Sequence, residues 1–353
     1  MALNNTTRFS GTEGKTDCVH FFVDASAYNA SLPEYYVAVI KTFTVLNVFL
    51  AVPATFGNAV TILLIWKTPS LQYPSNVLIS LLACSDFFVG TIVHPTFVVA
   101  YVALLRKEIT KHCITLLVSD VFAWIFGSAS FLTLTLISLD KYIALYYSLR
   151  YKDIVTTKRV FSAVAISWTL CAIFAPFILA YVRKINVAVL FILPIFLFLI
   201  GVNTWCYYKI MRVVRQHHVQ INVQARVFNH VAPSPEQVVP GQNSFQMSGY
   251  MKSLKTAFYI AGAFVLCYIL LASFLSLLKF SPQNAISKHA ISSILIVAET
   301  VVYLNSSLNP VIYFWRVKKL RQAAVHQLRK IGKWNTVQRL QIDNTQTVQI
   351  LQL

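Results

Sequence analysis

The sequence predicts an all-α membrane protein: a seven-transmembrane helix bundle with a short amphipathic helix on the cytoplasmic surface. Three observations carry this. Of the 353 residues, 57% are hydrophobic and only 12% are charged, about half the ~25% charge of a soluble domain. The apolar residues gather into seven long runs separated by short polar and basic connectors, as crossing a hydrocarbon layer about 30 Å thick requires. The basic residues are shared unequally between the two sets of connectors.

The spans fall at 36–66, 75–104, 112–143, 159–181, 187–213, 252–278 and 287–313. They divide the chain into an extracellular tail (1–35), a membrane domain (36–314) and a cytoplasmic amphipathic helix with its tail (315–353). Residues Met1 to Glu34 are polar, and the apolar run Tyr35 to Trp66 is too long for a cleaved leader, so the first helix is expected to serve as its own insertion signal.

Seven spans place the two chain ends on opposite sides of the membrane. With the N-terminus outside, the cytoplasmic segments, counted with the inner ends of the flanking helices, hold 20 of the 30 Lys and Arg: one at the first loop, five at the second, six at the third and eight in the tail. This is the positive-inside asymmetry. The net charge of +18 therefore answers to topology and anionic lipid rather than to nucleic acid. Asn4, Asn5 and Asn29 each begin an N-glycosylation triplet in the tail that this orientation puts outside.

The third inner loop, Gln216 to Tyr250, carries Pro233, Pro235, Pro240 and Gly241 without an apolar period and reads as a flexible linker. Past Tyr313, the stretch Phe314 to Ile331 aligns Val317, Leu320, Ala324, Leu328 and Ile331 on one helical face, with Arg316, Lys318, Lys319, Arg321 and Arg329 around the rest. That pattern suits a helix lying on the inner membrane surface; a solvated basic tail is the alternative. Cys84, Cys171, Cys206 and Cys267 fall inside apolar runs and read as small buried hydrophobes. Cys18 and Cys113 remain as a pair that an oxidising compartment would join, or Cys113 stays free.

An ionisable side chain in a membrane helix costs about 2.5–3.5 kcal/mol on insertion scales, so Asp86, Asp120, Asp140 and Glu299 each ask for a reason. Asp120 and Asp140 are 20 residues apart on one helix, roughly 30 Å at 1.5 Å per residue, one near each edge of the hydrocarbon. Asp86 lies near the midplane and needs a partner from another helix or a cation.

Several motifs give these positions a context. Gly57-Asn58-Ala59-Val60 stands in the first span, Leu82-Ala83-Cys84-Ser85-Asp86 in the second, Asp140-Lys141-Tyr142 at the end of the third, and Asn305 to Tyr313, with Asn309-Pro310, in the seventh. With Trp168 and Pro194, they make the chain resemble the rhodopsin-like (class A) G-protein-coupled receptors from about Asn58 to Lys319. In character the resemblance is to the melanocortin and adenosine receptors. It implies that Asp86, Asn58, Ser130, Asn305 and Asn309 surround a sodium ion, the only cofactor expected. A carboxylate with hydroxyl and amide oxygens is also what a hard cation takes; a packing network without an ion is the alternative. Pro310 breaks the ladder of the seventh helix. Asp140, Lys141, Tyr142, Pro310 and Tyr313 match the coupling and activation positions, with Lys252 and Lys255 at the third-loop end.

Four departures from the family pattern stand out. Lys141 replaces its arginine and loses the planar fork. Tyr268 and Leu270 replace the tryptophan and proline of the sixth helix, which should make that helix straighter. Val202 stands where a tyrosine is frequent. The loop Val182 to Asn186 is very short and has no cysteine, so the family's usual disulfide is absent; a minimal second outer loop also resembles the melanocortin receptors.

For ligand, Asp120 and Glu299 match positions facing the outer cavity, with His94 at its border and Ala123 and Tyr268 within it. Two carboxylates there favour a cationic group, such as a basic peptide or small cation; pairing with Arg183, Lys184 or Lys288 is the alternative. Ala123 at the amine-anchoring position argues against a monoamine, and Tyr303 at the retinal-lysine position argues against light sensing. The resemblance implies a plasma-membrane protein working with an extracellular ligand, a heterotrimeric G protein, arrestin and a receptor kinase. The departures leave a second reading, a receptor-like decoy that couples weakly. No repeated halves suggest a transporter, and no metal, nucleophile or phosphate-loop motif suggests an enzyme.

Overall fold

The computed structural model of the protein describes residues 32–182, 193–231, 258–263, 265–269, 288–327 and 329–330. Within them, six helices are long and apolar enough to cross a membrane. They are α1 (Glu34–Lys67), α2 (Pro74–Leu105) and α3 (Ile109–Tyr146), then α4 (Thr157–Val182), α5 (Leu193–Val231) and α7 (Lys288–Arg316). A shorter apolar helix, α6 (Phe258–Ile269), lies within the sixth expected span. No strand occurs among the described residues.

Proline shapes three of these helices, because it lacks the N–H that the helical ladder needs. In α1, Pro53 opens a wide π turn, Pro53–Gly57. In α2, a second π turn, Val89–Val93, immediately precedes His94 and Pro95. Pro310 lies inside α7. These irregular turns meet one another. A Cβ on Gly57 would stand 2.7 Å from Pro310, and one on Gly90 would stand 2.6 Å from the backbone nitrogen of Thr55. Absence of a side chain on the two glycines lets the Pro310 ring of α7 press against α1 and the α2 backbone approach that of α1.

The helix α3 is central and packs against α2, α4 and α5, while α1 packs against α2 and α7. Two apolar clusters fill the interior. One, toward the Asp140 end of α3, includes Leu78, Leu82, Phe131, Leu134, Tyr207, Ile260 and Tyr313. The other, toward the Asp120 end, includes Tyr36, Phe97, Tyr101, Leu116, Ile296 and Tyr303. Between them, in the order of residues along α1, α2, α3 and α7, lies a buried polar layer containing Asn58, Asp86, Ser130, Ser306 and Asn309. Outward-facing positions are large and apolar, as at Phe49, Phe56, Phe174 and Phe198. That inversion is expected where the solvent is lipid.

The segment read as a flexible linker from Gln216 is helical as far as Val231. No helix breaker occurs before Pro233, so α5 simply continues past the bilayer; the rest of the linker lies outside the described residues. The tail agrees more closely with its sequence. After Val317 interrupts the helix, residues 318–327 are helical again, with Leu320 buried and Val317 and Ala324 packed on the core while Lys318, Lys319 and Arg321 are exposed.

Candidate functional site

The polar layer is built around Asp86, which is fully buried. Two donors from α7 reach its carboxylate: Ser306 Oγ gives a hydrogen bond to Oδ1 at 2.8 Å, and Asn309 Nδ2 gives one to Oδ2 at 2.7 Å. Residues three apart share a helix face, so Ser306 and Asn309 meet α2 together, while Ser307 turns to the carbonyl of Leu50 on α1 at 2.8 Å. Asn58 donates to the carbonyls of Ala54 at 2.7 Å and Ser306 at 3.1 Å. The backbone freed near the prolines thus finds a side-chain partner.

This layer holds more acceptors than donors. Asn58 Oδ1, Asn305 Oδ1 and Asn309 Oδ1 are buried and have no hydrogen-bond partner among the described residues, and the Ser130 hydroxyl lies beside Asp86. Unpaired buried oxygens are costly. Together with the Asp86 carboxylate they form an all-oxygen set that fits a hard cation with water. Ser306 did not figure among the expected residues of this site. Its signal was its spacing of three from Asn309, on the face that Asp86 needs.

At the Asp140 end, the Asp140 carboxylate takes hydrogen bonds from Ser75 Oγ on α2, from Tyr151 OH at 2.7 Å and from its neighbour Lys141 Nζ at 3.1 Å. Both Asp140 and Lys141 are buried. Tyr151 belongs to a four-residue helix, Tyr151–Ile154, between α3 and α4. Burial, reinforced by the adjacent Asp140, raises its phenol above the ordinary tyrosine range, so it remains a donor. Tyr142 packs at a tilt against Tyr146 and Trp205, with ring centroids 4.5 and 5.0 Å away, and Tyr313 is fully buried.

A further network joins α3 to α5. Ser138 Oγ lies 2.6 Å from Asn203 Oδ1 and 3.3 Å from the Tyr207 hydroxyl, and Asn203 Nδ2 donates to Thr135 Oγ1 at 2.9 Å. Tyr207 sets its ring edge-on to Phe258 of α6, centroids 5.8 Å apart. Sequence reasoning noticed the apolar Val202 and missed the polar Asn203 and Tyr207 beyond it; polar residues in an apolar run were the available signal.

At the Asp120 end, Glu299 of α7 and Asp120 of α3 are near enough to feel each other's charge, and Tyr36, Tyr101 and Tyr303 lie in the same electrostatic neighbourhood. Glu299 Oε2 is buried without a hydrogen-bond partner among the described residues. His94 is fully buried. Its Nδ1 lies 2.8 Å from Asn47 Oδ1, while Asn47 Nδ2 donates to Phe43 O at 2.8 Å and to Thr300 Oγ1 at 2.9 Å. With the Asn47 amide so committed, His94 Nδ1 must carry the proton and Nε2 is an acceptor. The ring stands edge-on to Tyr303 at 5.8 Å, so His94 ties α1, α2 and α7 behind the tyrosine. Ala123 packs on the outer apolar cluster. Tyr268 stacks on Phe131 and lies at a tilt against Phe196, centroids 6.3 and 5.3 Å away. Its hydroxyl lies 2.9 Å from where Gly127 would carry a Cβ.

Cys113 is disulfide-bonded, and Cys84, Cys171, Cys206 and Cys267 are free. Its partner, the triplets at Asn4, Asn5 and Asn29, Lys252, Lys255, Leu270 and the short loop after Val182 lie outside the described residues.

Compared with known families, residues 57–313 match the 7 transmembrane receptor (rhodopsin family). G-protein coupled receptor 12 of Rattus norvegicus is 28% identical over 287 residues, covering 75% of each chain. Adenosine receptor A2a of Canis lupus familiaris is 24% identical over 314 residues, 82% of this chain and 72% of its own. Melanocortin receptor 4 of Danio rerio is 24% identical over 270 residues, 75% and 77%. The family matched over most of the chain is one of receptors rather than enzymes, and it implies a seven-helix bundle with a ligand and a G protein as partners. The chain belongs to the rhodopsin family of seven-transmembrane, G-protein-coupled receptors.

Proposed function

We propose that this receptor sits in the plasma membrane with its N-terminus outside and responds to an extracellular ligand bearing a cationic group, a basic peptide or a small amine other than a monoamine transmitter. One observation carries the ligand class: Asp120 and Glu299 share an aromatic neighbourhood at one end of the bundle, and a buried Glu299 oxygen there lacks a hydrogen-bond partner among the described residues. Two carboxyl groups held close in apolar surroundings ionise together only with a cation between them. Tyr268 and Ala123 would form the floor, and His94 would hold Tyr303 in place. Relatives named for adenosine and for melanocortin are compatible with either ligand size.

Ligand binding would shift a two-state bundle and open the Asp140 end to a heterotrimeric G protein, with Lys141, Tyr142, Tyr313, Lys252 and Lys255 lining the opening. Arrestin and a receptor kinase would act on the same face. A sodium ion would be held by Asp86 with Asn58, Ser130, Asn305 and Asn309, and when bound it neutralises the buried carboxylate. Cys113 would pair with Cys18, the one remaining cysteine of the six, and Asn4, Asn5 and Asn29 would carry sugar.

The test is a panel of basic peptides, nucleosides and lipids against wild type and Asp120→Asn in cells with G-protein reporters. An active compound with a cationic group that loses potency on the variant supports the reading. An active compound with no such group and no sensitivity to the substitution refutes the ligand class. A second reading, a decoy that binds and couples weakly, is favoured by Lys141, whose ammonium is drawn onto Asp140 at 3.1 Å. Binding without a response in any pathway, restored by Lys141→Arg, would select it.

A further inference from the structure

Where α7 ends, Arg316 is held by two rings and, among the described residues, by no acid. Its guanidinium carbon lies 5.0 Å from the ring centre of Tyr259 on α6 and 5.1 Å from that of Trp315. The two rings are themselves 5.8 Å apart. Trp315 is 61% exposed and Tyr259 43%, so the cluster opens outward from the bundle. Among the described residues, the ion pairs are those of Lys111 with Glu108 and Lys141 with Asp140. Arg159 offers a contrast: its guanidinium is spent on the carbonyls of Asp153 and Ile154. Among the described residues, the Arg316 N–H fork meets no carboxylate.

Depth identifies the medium. The 29 residues of α7 reach about 43 Å at 1.5 Å per residue, longer than the hydrocarbon thickness of roughly 30 Å. Its last residue therefore stands at headgroup level, where tryptophan, tyrosine and arginine gather. Exposed Lys318 and Arg321 follow directly. A planar, multiply donating cation backed by aromatic faces is shaped for a phosphate in two-point contact, and the neighbouring cations favour more than one negative charge.

We propose that Tyr259, Trp315 and Arg316 form a binding site for the headgroup of an anionic phospholipid, clamped between the ends of α6 and α7. The headgroup phosphate takes the arginine fork, the rings hold the guanidinium flat, and the acyl chains run along the apolar outer face of the two helices. Its place in the inner leaflet rests on the orientation proposed above; the binding itself does not. By bridging α6 and α7, such a lipid biases the relative placement of two helices that bound the Asp140 end.

The experiment is native mass spectrometry of the full-length receptor in detergent, titrated with phosphatidylinositol 4-phosphate, phosphatidylserine and phosphatidylcholine. The chains are wild type, Arg316→Gln, Arg316→Lys, Trp315→Leu and Arg321→Gln, each first shown by thermal melting to be folded. Wild type is expected to retain an anionic lipid in preference to phosphatidylcholine. Arg316→Gln should bind it roughly tenfold more weakly, Arg316→Lys and Trp315→Leu should fall between, and Arg321→Gln, which removes only one neighbouring charge, should lose least. Equal losses at Arg316 and Arg321 would mean diffuse attraction to a basic surface and overturn the site. So would unchanged binding by Arg316→Gln, or displacement of the lipid by millimolar inorganic phosphate. If Arg316→Gln fails to fold, Trp315→Leu and Arg316→Lys decide the matter, because both keep the charge and remove only the cradle or the fork.

Discussion

Ser138 on α3 and Asn203 on α5 share a hydrogen bond of 2.6 Å inside the membrane-spanning part of both helices. Asn203 also holds Thr135 at 2.9 Å, and Tyr207 on the next turn reaches Ser138 and Phe258. Replacing Asn203 by Leu removes the tie, leaving the Thr135 hydroxyl with only its own helix carbonyl and Ser138 with its own helix carbonyl and the Tyr207 hydroxyl. Interhelical hydrogen bonds in bilayers average about 0.6 kcal/mol and reach about 1.7. The variant should lose stability within that range and show higher ligand-free signalling, because α5 and, through Tyr207, α6 are less firmly held. A melting curve and a basal reporter assay read both; no change in either would mean that the network is bystander packing.

The Asp86 layer separates charge from geometry. Asp86→Asn keeps the shape and removes the charge, so replacing choline by sodium should shift agonist affinity about fivefold or more in wild type and leave the variant unmoved. Ser306→Ala removes one donor to a buried carboxylate and should cost about 1–2 kcal/mol of stability while keeping the sodium response. If Asp86→Asn retains full sodium sensitivity, the ion lies elsewhere.

Tyr151 and Ser75 both donate to Asp140, which in turn draws in Lys141. Tyr151→Phe should loosen this cluster and raise ligand-free signalling about two- to tenfold, the equivalent of one hydrogen bond to a charged group at a partly exposed site. The phenol's elevated pKa, caused first by burial and then by Asp140, sets the direction with pH. The folded state holds this proton more tightly than the unfolded chain does. Its contribution is therefore whole below tyrosine's usual pKa of about 10 and is lost as pH rises beyond it. Between pH 6 and 9 the Tyr151 contact should not change. Melting curves of wild type and Tyr151→Phe across that interval should run parallel; a gap that closes by pH 9 would contradict the assignment.

At Gly90 the approach of α1 is backbone to side-chain-free backbone, with Thr55 N 2.6 Å from where a Cβ would stand. Gly90→Ala must push the two π turns apart and should cost about 1–3 kcal/mol or more, seen as lost surface expression and a lower melting temperature. At Gly127 the obstructing atom is the movable Tyr268 hydroxyl. Gly127→Ala should therefore be milder and be partly rescued by Tyr268→Phe. A double variant no better than Gly127→Ala alone would show that the hydroxyl does not occupy that space.

Much of this receptor was legible in one dimension. Long apolar runs must be helices in lipid because no water is present to satisfy an open backbone, so the spans were read to within a few residues at most boundaries. Where polarity interrupts such a run the interruption is costly, and Asp86, Asn309 and Asp140 declared themselves for that reason. The order of residues could not say which oxygen faces which. Choice of Ser306 over Asn305 as donor to Asp86, capture of Asp140 by a tyrosine from the following loop helix, burial of His94 against Asn47 and the Asn203 network all depend on helix rotation and crossing. For the Asp86 layer and His94 those are settled by how glycines and proline-widened turns let α1, α2 and α7 approach, and for Asp140 and Asn203 by how α3 lies against the loop helix and α5; both are properties of close packing between distant segments that no local pattern of hydropathy encodes.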